Sequence, residues 1–235
     1  PVDGASAPLR TGAALPVHDA LTQWLETPLR SPSKARRVLP SLLDVALPFP
    51  LESCAADFLE LERGLSGCRA LAVAALRETV GGWLETLAAE GFDPAILDHE
   101  GLALWNRSLD EVPPRRGERQ VVARLCEDRL VLVTGENGRF QRATRLGVLD
   151  GRPGPDAQAR LQRLFGPGPA AGAVDWRWCG PACATLAASW EEELDVPAGT
   201  RFRVHDQPDL FLARAFACRS PRGIPISTTS TGSTG

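Results

Sequence analysis

Five short stretches of this chain hold residue types capable of chemistry or recognition. Asp98-His99-Glu100 sets an imidazole between two carboxylates, a composition used for metal ligation and general base catalysis. Adjacent residues at a helix start point in different directions, and acids there also satisfy free N–H groups and complement the dipole, so capping is the favoured reading. Trp178-Cys179-Gly180-Pro181-Ala182-Cys183 falls between a predicted strand and a predicted helix, where a backbone turn can meet a ligand. Only Gly180 permits close approach there, and Pro181 suits a plain helix start. Cys179 as a nucleophile would need a base, and nothing in the sequence supplies one. His205-Asp206 has the composition of a base and its orienter, but adjacency rarely gives that geometry, and a surface loop is expected. Cys126-Glu127-Asp128-Arg129 is an acidic turn between two apolar runs. Leu47-Pro48-Phe49-Pro50-Leu51 is extended in advance by its prolines, so Leu47, Phe49 and Leu51 are either partner-binding residues or a packed lid.

Composition narrows the function classes. With 235 residues, 43% of them hydrophobic, the chain can bury a substantial core as one large domain or two lobes. A net charge of −3 without a basic block argues against nucleic acid as a partner. No apolar run reaches the length of a membrane span and no signal pattern opens the chain, so a soluble chain is expected. Met and Tyr are both absent. The six cysteines are scattered apart from Cys179 and Cys183, whose three-residue spacer fits neither a redox CxxC nor half a zinc site, so reduced, buried thiols are expected.

The elements that must position these residues follow from periodicity and punctuation. A helix is predicted over 17–29 from Leu21, Trp24 and Leu25. A second is predicted over 34–46, with Val38, Leu42, Leu43 and Val45 facing a core and Pro40 suited to a first turn. Strands are predicted at 54–61 and 69–75 around a turn at 64–67, then a helix over 78–90 capped by Gly91. A short strand at 95–97 precedes a helix opened by Asp98-His99-Glu100 and carrying Leu102, Leu104 and Trp105. Apolar runs at 120–125, 130–134 and 140–146, the last two joined by the Asn137-Gly138 pair, predict three antiparallel strands. A helix over 156–165, a break at 166–169, a strand at 174–178, a helix over 181–194, a strand at 202–205 and a helix over 208–219 complete the pattern. The tail 227–235 is Ser, Thr and Gly only and is expected to be disordered.

The run from Gly91 through Phe92-Asp93-Pro94 and Asp98-His99-Glu100 to Trp105 resembles the half-domain junction of the actin-like proteins of bacterial secretion and pilus assembly, the GspL and PilM families. Residues 36–52 resemble the segment where a helix leads into their small accessory subdomain, and Phe211-Leu-Ala-Arg-Ala-Phe-Ala217 resembles their terminal Ala-rich helix. The match spans most of 36–219 by pattern more than by invariant motif. It implies an α/β, actin-like (ribonuclease H-like) two-lobed fold with mixed sheets flanked by helices. The first lobe would cover 1–106, its N-terminal strands curtailed and its accessory subdomain near 36–97, and the second lobe would cover 107–226.

The same resemblance implies a non-enzymatic scaffold domain of a type II secretion or type IV pilus assembly platform, cytoplasmic and at the inner-membrane face. Its implied partners are an assembly ATPase and a bitopic inner-membrane protein, with a homodimer left open. The alternative is an ATP-dependent enzyme, an ATPase or sugar-kinase relative, using ATP and Mg²⁺. Nucleotide-binding members of the wider group place an acid and glycines in each lobe's hairpin turn, where bare N–H groups cradle phosphate. The turn at 126–129 has the acid and no glycine. Asp128 and Gly180 are the cofactor-binding candidates if a nucleotide site persists. No cofactor is the expectation.

Overall fold

The structure, a computed structural model, describes residues 12–113, 115–154, 157, 159–161, 174–194 and 199–217. These fall into two compact units, one of 12–18 with 95–217 and the other of 19–94.

The smaller unit is a three-stranded antiparallel sheet, β2 (Leu21–Thr27), β3 (Cys54–Arg63) and β4 (Cys68–Leu76), in the order β2-β4-β3. Helix α1 (Pro32–Ala46) covers one face. Central β4 presents Ala70, Ala72 and Ala74 to that side, and Leu25, Leu39 and Leu43 fill the space against them. Small side chains on the strand let the helix approach, and burying each of the two helix leucines contributes about 2 kcal/mol. Helix α2 (Arg77–Ala89) follows β4 directly. It ends in a Schellman motif, with Gly91 at φ 82°, Gly91 N–H donating to Ala88 O and Phe92 N–H donating to Leu87 O.

Two expectations for this unit are corrected. Residues 21–27 form a strand and not part of a helix. Leu21, Trp24 and Leu25 have helical spacing, but seven consecutive pairs with β4, Leu21↔Ala74 through Thr27↔Cys68, give the backbone a ladder that outweighs that local pattern. Helix α1 begins at Pro32, where the missing N–H is not needed, so Pro40 sits inside the helix and not in its first turn. The buried stripe is Ala35, Leu39 and Leu43, while Leu42 and Val45 are exposed. Of the expected core residues on this helix only Leu43 is fully buried, because the sheet lies on the 35/39/43 side.

The larger unit contains a parallel pair, β1 (Gly12–Leu15) with β5 (Ile96–His99), and a six-stranded mixed sheet. That sheet has the order β11-β10-β6-β7-β8-β9, from β6 (Arg119–Leu125), β7 (Arg129–Glu136), β8 (Arg139–Leu149), β9 (Arg152–Pro153), β10 (Val174–Cys179) and β11 (Arg201–Val204). The three expected antiparallel strands are β6 to β8, and the β7–β8 turn has positive φ at both Asn137 and Gly138, as a type I′ hairpin requires. Strand β10 runs parallel to both β6 and β11.

Helix α3 (Glu100–Glu111) packs near β6, β7 and β8, and α4 (Cys183–Glu193) near β6 and β10. Trp105 of α3 lies so close to the sheet that a Cβ on Gly135 would come within 2.1 Å of its ring. On the α4 side Trp176, Trp178 and Trp190 are fully buried among Val121, Ala123, Leu125 and Ala187. Helix α5 (Phe211–Ala217) follows a 3-10 turn at Pro208–Leu210. Ala157 and 159–161 are helical within the expected 156–165 helix, whereas the 166–169 break, the end of the 208–219 helix and the 227–235 tail lie outside the described residues.

Candidate functional site

Strands β6 and β10 are paired in parallel from Arg119↔Val174 to Arg124↔Cys179, so the turns that follow them share one edge of the sheet. Asp128 and Gly180 belong to these two turns. Gly180 has φ 99°, and an added Cβ would come within 2.4 Å of Leu125 O and 2.9 Å of Leu125 N. The Ala182 N–H donates to the same Leu125 carbonyl at 3.1 Å, and the Gly180 N–H donates to Pro208 O at 2.8 Å. The close approach that Gly180 permits is thus to the chain's own β6, and its N–H already has an acceptor.

Asp128 is 59% exposed. Its carboxylate accepts from Arg129 Nη1 at 2.9 and 3.1 Å and lies 3.6 Å from Arg145 Nη2. Burial works against ionisation, but the hydrogen bond and charge of Arg129, with help from Arg145, together outweigh it and hold the carboxyl below its usual range. The turn has no glycine, and the Cys126 N–H is used internally on Arg129 O at 2.9 Å. Two guanidinium groups beside the Asp128 carboxylate make the turn unfavourable for a divalent cation. No cluster of three His, Cys, Asp or Glu suited to a metal exists among the described residues.

Asp98-His99-Glu100 caps α3, but through the imidazole and not the carboxylates. His99 Nδ1 accepts from the Leu102 N–H at 3.3 Å, leaving the ring proton on Nε2. Burial pushes the His99 pKa down to about 4, so the ring is neutral at physiological pH. Glu100, buried beside it, accepts from the Val17 N–H at 3.3 Å and from Arg124 Nη1 at 2.8 Å. It thereby ties the segment after β1 to the start of α3 and the end of β6. Its partners lie 83 and 24 residues away, which is why its role carries no local signature.

The thiols are poor nucleophiles. Cys126, Cys179 and Cys183 are buried and unbridged. Desolvation raises all three, Cys183 to about 11 and Cys179 further still. His205 does not pair with Asp206. Its Nδ1 accepts from the Gln207 N–H at 3.0 Å, so Nε2 carries the proton and donates to Glu111 Oε1 at 2.7 Å. Of the proline-flanked residues, Leu47 and Leu51 pack against the core of the smaller unit and Phe49 is half-buried. The Leu51 N–H donates to Asp44 Oδ1 at 3.0 Å. No described helix is long and apolar enough to cross a membrane.

No family model matches the chain, and no curated protein matches it. Solved structures do. The cytoplasmic domain of EpsL, an inner-membrane component of the type II secretion system of Vibrio cholerae, aligns at a TM-score of 0.59 and 16% identity over 89% of this chain and 74% of that one. A PilM–PilN type IV pilus biogenesis complex aligns at 0.63 and 16% identity, covering 88% and 78%. A Bacteroides thetaiotaomicron protein with an actin-like ATPase fold and unknown function aligns at 0.52 and 9% identity, covering 89% and 74%. The likeness to the secretion and pilus proteins read from the sequence is therefore met in three dimensions, and the chain has the actin-like fold.

Proposed function

We propose that this chain is a non-enzymatic scaffold domain of a bacterial type II secretion or type IV pilus assembly platform, working at the cytoplasmic face of the inner membrane. The observation that carries this reading is the fold likeness over nearly nine-tenths of the chain to the EpsL cytoplasmic domain and to a PilM–PilN complex. In this reading β1 and β5 belong to the first lobe, β6 to β11 form the second, and α3 passes between them. The partners are an assembly ATPase and a bitopic inner-membrane protein, and Phe49 is a candidate partner contact.

The chemistry of the sheet edge supports a role without turnover. Asp128 is engaged by Arg129 and Arg145, and the N–H of Gly180 is committed to Pro208. An ATP-dependent enzyme is the second reading, favoured by the actin-like ATPase fold of one of the similar structures. It would require Asp128 to leave its arginines and orient a metal. Tagged chain expressed in its native cell, followed by identification of what co-purifies, tests the first reading. Recovery of an assembly ATPase and an inner-membrane platform protein is expected, and a folded chain that recovers neither would count against it.

A further inference from the structure

The two helices of the smaller unit carry opposite charge on sides left open among the described residues. Within 27–43 the only charged residues are Arg30, Lys34, Arg36 and Arg37, all exposed. Within 78–106 there is no Lys or Arg, and Glu78, Glu85 and Glu90 of α2 and its C-cap are exposed. None of these groups makes an ion pair among the described residues, so the two helices do not neutralise each other within one molecule.

Both open sides have the same spacing. On α1, Lys34, Val38, Ser41 and Val45 fall on the side away from the buried Ala35, Leu39 and Leu43, with Arg37 next to Lys34 and Leu42 at the margin. Val45 is 87% exposed and Leu42 36%. On α2, Glu78, Gly82, Glu85 and Ala89 fall on the side away from the half-buried Val80, Trp83 and Leu87. Trp83 Nε1 donates to Asp19 Oδ2 at 2.8 Å, which fixes that inward side. No residue of α2 is fully buried, and nothing lies within 4 Å of a Cβ built on Gly81 or Gly82. Each open stripe is about 16 Å long, three turns of helix.

We infer that α1 of one molecule docks on α2 of a second copy of this chain, with the two helices antiparallel. Lys34 and Arg37 then face Glu85 and Glu90, while Leu42 and Val45 lie over the bare backbone of Gly81 and Gly82, where small residues let the helix axes approach. The antiparallel order brings the cations of α1 to the negative end of α2 and sets opposite ends of the two dipoles together. The first turn of α1 has no acid and no side-chain cap, which leaves its positive end open to Glu90. The exceptions on the two helices, Asp44 and Arg77, come to the same end in this order.

The two surfaces differ and each molecule offers one of each, so the contact is heterologous. One helix laid on another falls short of the roughly 1,200–2,000 Å² of a standard interface, so the affinity is low, with a Kd on the order of 100 μM. Exposed charge also makes it sensitive to salt. The inference stands on the smaller unit alone and does not depend on the scaffold reading.

Sedimentation velocity of the whole chain, from micromolar to millimolar concentration, tests this. Association is expected in low salt and should weaken about tenfold at roughly 0.5 M salt. Lys34→Glu/Arg37→Glu and Glu78→Lys/Glu85→Lys should each weaken it at least about tenfold. All four side chains are exposed, so both variants should keep the wild-type thermal midpoint. Mixing the two variants joins the unaltered α2 of the first to the unaltered α1 of the second, and association should return. A chain carrying all four changes has its charges exchanged and should associate as well. A wild-type chain that stays monomeric throughout overturns the inference and leaves the two faces to other partners. Association untouched by either reversal, or not restored in the mixture, overturns it too.

Discussion

The two faces of β6 and β10 are built from alternate residues of the same strands, yet they do opposite things. On one face Val121, Ala123, Leu125, Trp176 and Trp178 meet α4 in a wholly apolar core. On the other, Gln120, Arg124, Asp175 and Arg177 are buried or half-buried, and the Glu100–Arg124 and Asp175–Arg177 pairs bind the sheet to α3 or to itself. The pleat's period of two allows this separation. Stability is concentrated on the α4 face, where the packed side chains are apolar. The α3 face spends burial on charge, which adds little net stability but fixes geometry.

Breaking the apolar face should cost most. Trp176→Ala empties a fully buried aromatic site within the Trp178, Trp190 and Phe202 cluster. It should remove about 4 kcal/mol from the unfolding free energy measured in urea. On the charged face, Asp175→Ala leaves Arg177 buried without its partner and should cost about 3 kcal/mol. The double variant Asp175→Leu/Arg177→Leu should recover most of that loss, since two apolar residues replace both charges. A double variant no more stable than the single one would refute the contrast between the faces.

Smaller effects are expected where the faces meet their turns. Gly180→Ala must hold φ near 99° and push against Leu125 O, and should cost about 2 kcal/mol. His99 gives the charged face a pH signature. Its folded pKa is depressed from 6.5 to about 4, so below pH 6.5 the unfolded chain takes up a proton that the folded chain refuses. Stability should be full above that pH, fall by about 2 kcal/mol at pH 5, and stop falling through this group below pH 4. Urea melts of wild type and His99→Gln across pH 4 to 7 check this, with the variant showing the shallower slope.

How much of this was legible in the sequence depended on how local the cause is. The β6–β8 strands announce themselves through apolar runs and Asn137-Gly138, and Gly91 through its place after α2, because hairpins and helix caps are decided within a few residues. Periodicity predicts a helix where strand β2 forms, because its ladder partner β4 lies about fifty residues on and nothing in Leu21–Thr27 reports it. The buried side of α1 was missed for the same reason, since β4's alanines decide which stripe is covered. At the candidate site Asp128 and Gly180 could be named from turn chemistry. The arginines that engage Asp128, the Glu100–Arg124 pair and the Glu111–His205 bond required the fold.

Calorimetric titration of the folded chain with ATP and Mg²⁺ tests the central claim most directly, because the scaffold and enzyme readings differ over the edge that carries Asp128 and Gly180. With Asp128 held by two arginines and no glycine in its turn, no heat of binding is predicted up to millimolar nucleotide. Micromolar binding that disappears in Asp128→Ala would contradict the account and make the chain a working nucleotide-dependent protein.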